Sequence, residues 1–395
     1  MTSARAFWIV VQTLATIVFV NRYIGGLVLR VVRGDRWDET VDDFEPTVTV
    51  VIPLYNEGQA IRETLDSVLA SEYPSHKLRV TCIDDCSTDD SYQVACDVAR
   101  RDPRLTVLRN ARNSGKRHSI NEAVRSTDSE IIVSVDSDVI IDRNAVRELV
   151  RRFTAPQIAA VGGWVDVRNK NDNWLTRMQV VRYWYAYNVA RGLECGFRRV
   201  MCLSGCLTAY RRSVLLELAP ILGRRAILGV PIKYGEDRFL TRQIVKAGYL
   251  TVATLAARCR TFVPTTLAGF FSQQLRWRRS RIVDYSGACS HVWRLNPLLA
   301  VHYFSLAMLI IIYPIAAFHL LATHGFLRAV TIHIVLLVVY GAFYRWRVRR
   351  LPPADRVGMF SYAPIAVVLP ITFALMTPLA LFTLDSSDWG TRDKS

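Results

Sequence analysis

Two carboxylates two residues apart, Asp136 and Asp138 around Ser137, follow the apolar run Glu130–Val135. At a strand end such a pair supplies hard oxygen ligands for a divalent cation, and that cation can clamp a nucleotide diphosphate. An isolated D-x-D triplet is more often a solvated turn, so the assignment gains weight only from its position after a strand. Gly115-Lys116-Arg117-His118, with Asn113 close by, stands before a helical pattern. Cations and backbone N–H groups at a helix N-terminus suit phosphate; an ordinary cap with surface charges is the competing reading. Gly235-Glu236-Asp237-Arg238 precedes a helical pattern over Phe239–Ala247. A carboxylate there could remove a proton from an acceptor hydroxyl, with Arg238 positioning it, or could serve as a plain N-cap.

Two further groups suit an extended substrate. Gln273-Gln274-Leu275-Arg276-Trp277 lies in a segment, Leu267–Val283, that reads as an amphipathic membrane-surface helix. Trp277 could stack on a sugar ring or anchor the interface. Ser204-Gly205-Cys206 precedes the strand pattern Leu207–Tyr210, and small residues there let a polymer end approach the backbone.

These groups need a scaffold. Val48–Leu54 is an apolar run ending on Tyr55-Asn56-Glu57-Gly58. Arg79–Ile83 ends on Asp84-Asp85-Cys86-Ser87, Leu105–Leu108 is a third strand, and Glu130–Val135 a fourth. Helical patterns separate them, so the spacing predicts a mostly parallel α/β sheet. Ligands bind beyond the carboxyl ends of such strands, where the turns bearing Glu57, Asp84, Asp85, Asp136 and Asp138 all fall.

The flanks differ from this middle. Of 395 residues, 51% are apolar and the mean hydropathy is +0.17, both high for a soluble protein, and the apolar residues concentrate in Ala6–Val20 and from Pro297 onward. Ala6–Val20 is short for a span and is interrupted by Asn21 and Arg22. Leu298–Ala322 and Leu327–Tyr344 read as two spans, and Met359–Leu384, with Pro364, Pro370 and Pro378, as a broken or re-entrant element. The net charge is +16, and arginines cluster beside these segments, as they do on cytosolic flanks. That placement argues against nucleic acid as a partner. Of the eight cysteines, Cys82/Cys86 and Cys202/Cys206 are closely spaced, but no histidine follows at zinc-site spacing.

In this order, Asp84-Asp85, Asp136-Ser137-Asp138, Gly235-Glu236-Asp237-Arg238 and Gln273-Gln274-x-Arg276-Trp277 resemble the processive family 2 glycosyltransferases, and within them the bacterial hyaluronan synthases. Asn113–His118 is similar to that family's lysine-bearing loop. Val167-Arg168-Asn169, Leu175-Thr176-Arg177, Leu228-Gly229-Val230-Pro231 and the tail Asp388-Trp389-Gly390-Thr391-Arg392 look more specifically like hyaluronan synthase. Nearly the whole chain takes part.

The resemblance implies an α/β GT-A (Rossmann-like) cytosolic domain with α-helical transmembrane and interfacial helices. The divisions are an N-terminal membrane segment over 1–34, the transferase domain over 45–264, interfacial helices over 265–295 and a membrane region over 296–395. Glu57 and Asp84 or Asp85 would contact uridine, and Lys116 and Arg117 would hold the nucleotide. Asp138, with Asp136, would bind Mg²⁺ or Mn²⁺. Asp237 would be the general base, flanked by Glu236 and Arg238. Ser204, Gln273, Arg276 and Trp277 would face the substrate, and Trp389 and Arg392 would gate the donor. UDP-GlcNAc and UDP-GlcA would be joined into hyaluronan and exported through the protein's own channel. The setting would be a multi-pass protein of the plasma membrane, in contact with lipid and the nascent polysaccharide; the oligomeric state, a monomer included, stays open. Two departures bear on the product: Cys86 stands where the family usually has glycine, and Glu236 is common in chitin-type synthases. A chitooligosaccharide synthase using UDP-GlcNAc alone is the alternative, with a non-catalytic glycan-binding or export protein behind it.

Overall fold

The computed structural model describes residues 3–33, 39–222, 225–227, 229–232, 234–322, 326–349, 351, 356–365, 368, 372 and 375–386. The chain forms two compact units. One comprises Val28–Asp166 and Glu194–Phe262, the other Met1–Leu27, Val167–Leu193 and Val263–Ser395.

The first unit is built on strands β1 (Val48–Leu54), β2 (Leu78–Asp84), β3 (Leu105–Arg109), β4 (Ile131–Val135), β5 (Ile140–Ile141), β6 (Ile158–Val167), β7 (Leu207–Arg211), β8 (Ala226–Ile227), β9 (Val230–Pro231) and β10 (Leu250–Thr261). Eight of them make one sheet in the order β3-β2-β1-β4-β7-β6-β10-β5. All residues of β1 and β4 are buried, as expected where helices cover both faces. Each fully buried Val, Ile or Leu contributes about 1.5–3 kcal/mol. One core layer joins Val51, Ile83 and Ile132 of the sheet to Val214, Leu218, Phe239 and Ile244 of the helices Arg212–Leu222 and Glu236–Lys246.

Strands β3, β2, β1 and β4 are parallel, with Leu54 opposite Asp84 and Asp84 opposite Arg109. Their carboxyl ends therefore carry their turns to one edge. The expectation of a mostly parallel sheet holds only for this half. β7 runs antiparallel to β4, pairing Leu207 with Val135, and β6 runs antiparallel to β7. The reversal matters for the site: the start of β7, not its end, lies beside the end of β4. It brings Ser204–Cys206 alongside Asp136–Asp138.

In the second unit the helix Ser3–Phe19 gives way to a π-helical turn, Val20–Gly25, at the Asn21–Arg22 interruption. The helices Trp174–Asn188 and Leu267–Cys289 follow. Their N-termini are tied together: Asn169 exchanges two 3.0 Å hydrogen bonds with the backbone of Val263. Asn173 caps its own helix and donates to the Thr265 carbonyl at 2.8 Å. Gln179 donates to the Pro264 carbonyl at 2.9 Å. The helix Leu267–Cys289 does not keep a purely apolar face inward. Gln274, Arg278, Arg279 and Asp284 are buried with Phe270 and Ile282, because the groups around them supply polar partners.

The expected spans coincide with the helices Pro297–Ala322 and Phe326–Val348. Among the described residues no helix is long and apolar enough to cross a membrane. Within Met359–Leu384 the described pieces include a 3-10 turn, Met359–Tyr362, and a short helix, Met376–Phe382. Trp389 and Arg392, like Leu228, lie outside the described residues.

Candidate active site

The edge of the parallel half is held by hydrogen bonds between turns. Asn56, in the left-handed region at φ 51°, donates its amide to Ser87 Oγ at 3.0 Å and accepts from the Thr88 amide at 2.9 Å. Asparagine tolerates that conformation better than most residues. The Glu57 amide donates to Ser91 Oγ at 2.8 Å, and Ser137 Oγ donates to Glu57 Oε1 at 3.1 Å. Glu57 thus links the first turn to the one bearing Asp136 and Asp138. Asp84 is fully buried; it accepts from the Ser87 amide at 3.2 Å and pairs with Arg109 at 3.0 Å. Asp85, 4% exposed, accepts from Asn110 Nδ2 at 2.7 Å, Ser114 N at 2.9 Å and Gly115 N at 2.6 Å.

Lys116 opens the helix Lys116–Arg125 and places its ammonium on the Asp136 carboxylate. Burial pulls the lysine pKa down, but Asp136, assisted by Asp237, outweighs it, so the net shift is upward and the ammonium stays charged. Gly205 closes the other side. A Cβ at this position would meet Lys116 Nζ at 2.9 Å, Asp237 Cβ at 3.6 Å and Asp136 Oδ2 at 3.7 Å. Only a glycine lets this backbone approach without displacing the lysine.

Asp237 sits in the first turn of the helix Glu236–Lys246. Its carboxylate accepts from the Gly205 amide at 3.3 Å and from the Arg238 amide at 2.8 Å. Gly235 adopts the left-handed conformation at φ 68° to start the helix. Arg225, buried, holds that start by donating to the carbonyls of Tyr234 and Gly235. Thr241 Oγ1 accepts from the Leu203 amide at 3.2 Å and donates to the Asp237 carbonyl at 2.7 Å. It ties the Ser204–Gly205 loop to the helix that carries Asp237. Glu236 faces Arg117 at 4.0 Å. Burial raises its pKa above the ordinary glutamate value, against the pull of Arg117 and Lys116.

Burial, and then the neighbouring Asp136, also raise the Asp138 pKa; Thr261 Oγ1 donates to its Oδ2 at 3.3 Å. Cys206 is pushed well above its ordinary value by burial and by Asp136 and Asp138, so it stays a thiol. Among the described residues none of the eight cysteines is in a disulfide.

Sequence reasoning thus named Lys116, Asp136, Ser204, Glu236 and Asp237, which this unit gathers at one edge of its sheet. It did not find Arg225, Thr241 or Thr261. Nothing in their local sequence marks them, since each acts through a partner brought close only by folding. The Gln273–Trp277 group belongs to the other unit. There Gln274 Oε1 accepts from Arg182 at 2.7 Å, and the Trp277 ring lies 6.2 Å from that of Tyr183. Burial, with Arg281 nearby, pulls the Arg182 guanidinium down to about 10, so it remains charged near neutral pH.

The family model described as "Glycosyltransferase like family 2" matches residues 46–280, more than half of the chain. The chain belongs to this glycosyltransferase family. It is 34% identical over 361 residues to an N-acetylglucosaminyltransferase of Rhizobium sp. (strain N33), covering 89% of this chain and 78% of the relative. It is 29% identical over 357 residues to a hyaluronan synthase of Streptococcus pyogenes, covering 88% and 83%. A solved structure, the mannosyltransferase of Pyrobaculum calidifontis in complex with GDP-Man and Mn²⁺, aligns with a TM-score of 0.58 at 22% identity, covering 91% of this chain and 99% of that one. The shared fold is the Rossmann-like GT-A fold.

Proposed function

We propose that this glycosyltransferase transfers N-acetylglucosamine from UDP-GlcNAc, with inversion, onto the end of a growing polysaccharide. The observation that carries this reading is the convergence of Lys116, Asp136 and Asp237 on Gly205. One cation, two carboxylates and a glycine backbone meet at a single point. The Asp237 carboxylate accepts backbone N–H groups, which fix its orientation for taking a proton from an acceptor hydroxyl. The amides of Gly205 and Arg238 hold it in place for that transfer. The turn at Asn56–Gly58 borders the nucleoside side.

The donor set suits Mg²⁺ or Mn²⁺. Asp136 and Asp138 offer only oxygen ligands, and no group of three His, Cys, Asp or Glu gathers among the described residues. Two carboxylates leave coordination positions for diphosphate oxygens and water, which is how Mg²⁺ usually binds. Such a cation would neutralise the charge of the departing UDP. Lys116 and Asp136 already form an ion pair, so a cation beside Asp136 and a diphosphate beside Lys116 would each meet an opposite charge.

N-Acetylglucosamine as the sugar is supported by the names of the relatives at 30–34% identity. Hyaluronan, which also needs UDP-GlcA, is the second reading, supported by the 29% match and by the motifs around Val167–Asn169 and Gly229–Pro231. Export through the chain's own helices belongs to the same proposal. It is supported by the exposed apolar residues Val301, Phe304, Met308 and Ile311 on one long helix and Val335, Val338 and Val339 on the next. Supplying each UDP-sugar singly and then together tests the product. Polymer from UDP-GlcNAc alone supports the single-donor reading. Polymer only when UDP-GlcA is added supports hyaluronan, and no incorporation from either overturns both.

A further inference from the structure

Asp85 stands at the end of β2, where an acidic residue invites assignment as a contact to the nucleobase. Its surroundings indicate another role. The carboxylate is 4% exposed, and both oxygens are occupied by donors from one segment. Oδ1 accepts from Asn110 Nδ2 at 2.7 Å and from the Ser114 amide at 2.9 Å; Oδ2 accepts from the Gly115 amide at 2.6 Å. Asn110 in turn donates to Ser119 Oγ at 3.1 Å, inside the helix Lys116–Arg125. Gly115, at φ 87°, is the residue before that helix, and Lys116 is its first residue. A buried carboxylate that accepts backbone N–H groups just ahead of a helix fixes where the helix begins. Here the residue so fixed is the lysine that rests on Asp136.

We propose that Asp85 is a positioning residue. It holds the Ser114–Gly115 backbone and so sets Lys116 against Asp136, which makes the diphosphate part of the donor site, not the nucleobase part, depend on it. This rests on the reading of the site as one for a UDP-sugar.

The test compares uridine with UDP as ligands of the full chain. Asp85→Ala should weaken UDP binding by about tenfold or more, the scale of losing charge-assisted hydrogen bonds, and leave uridine within about twofold. Lys116→Ala should remove the same UDP-specific part, and the double variant should bind UDP no worse than Lys116→Ala alone, as coupled sites do. Equal losses for uridine and UDP, or additive losses in the double variant, would overturn the proposal. In the unmodified protein, hydrogen exchange should show slowed amides at Ser114 and Gly115. Exchange there at the rate of an unprotected loop would also overturn it, without any variant that must fold. A wild-type chain that binds uridine and UDP equally would instead count against the donor reading, and this inference would fall with it.

Discussion

The Gly205 amide donates to the Asp237 carboxylate at 3.3 Å, while the α-carbon of the same glycine leaves Lys116 no more than the room it occupies. One residue thus aims the candidate base and bounds the space of the candidate phosphate ligand. Gly205→Ala should therefore push Lys116 off Asp136. The far end of a lysine is flexible, so the fold tolerates this change better than the site does. We expect sugar transfer to fall by roughly tenfold or more, while the melting temperature changes by only a few degrees. Transfer kinetics and thermal melting on the same preparation check this; full transfer activity would show that the close approach has no functional weight.

Gly115 gives a contrasting case. Its backbone is left-handed at φ 87°, but a Cβ there would meet nothing within 4 Å. With ψ at 155° this is a conformation essentially reserved for glycine, so Gly115→Ala should cost about 1–3 kcal/mol of conformational strain, expressed at the start of the helix that Lys116 opens. UDP affinity should fall more than overall stability does, as read by UDP titration beside thermal melting.

How far such residues could be recognised before folding varied in a regular way. β1 matches its expected span, Val48–Leu54, and β2, β3 and β4 match within one residue at each end, because short apolar runs closed by polar turns announce themselves locally. The helix start near Gly115 was legible, whereas the helix expected over Phe239–Ala247 begins three residues earlier, at Glu236, so Asp237 lies inside its first turn and not ahead of it. The antiparallel half was not. β6 reads IAAVGGWVDV, a buried run with no alternation to reveal its direction, and the pairing of β7 with β4 is a long-range event. Gly205 was recognised as a place of close approach, yet its neighbours Lys116 and Asp237 are supplied by that pairing. Arg225 and Thr241 were missed for the same reason.

Glu236 carries a pH signature. Burial holds its pKa above the ordinary glutamate value. Folding then favours the protonated form, so its contribution to stability is largest below the ordinary value and declines as pH rises through the raised one. Glu236→Gln removes that decline. The variant should melt higher relative to the parent at pH about 8 than at pH about 5, and equal differences at both would contradict the assignment.

Divalent cations supply a further check. If Asp136 and Asp138 hold one, chelation should abolish transfer, and Mg²⁺ or Mn²⁺ should restore it. Asp138→Asn should raise the cation concentration needed for half-maximal activity by about tenfold or more, in line with loss of one charged ligand. Undiminished transfer after exhaustive chelation would remove the cation from the account.

The most direct measurement follows incorporation of labelled sugar from UDP-GlcNAc, with UDP-GlcA present and absent, by the parent chain and by Asp237→Asn. The substitution keeps the shape of the side chain and its place at the helix start but removes the base. The parent should incorporate label into a lengthening polymer. The variant should lose about 10²–10⁴-fold of that rate while still binding UDP within a few-fold of the parent. Transfer by Asp237→Asn at the parental rate would contradict the role of Asp237 as the base.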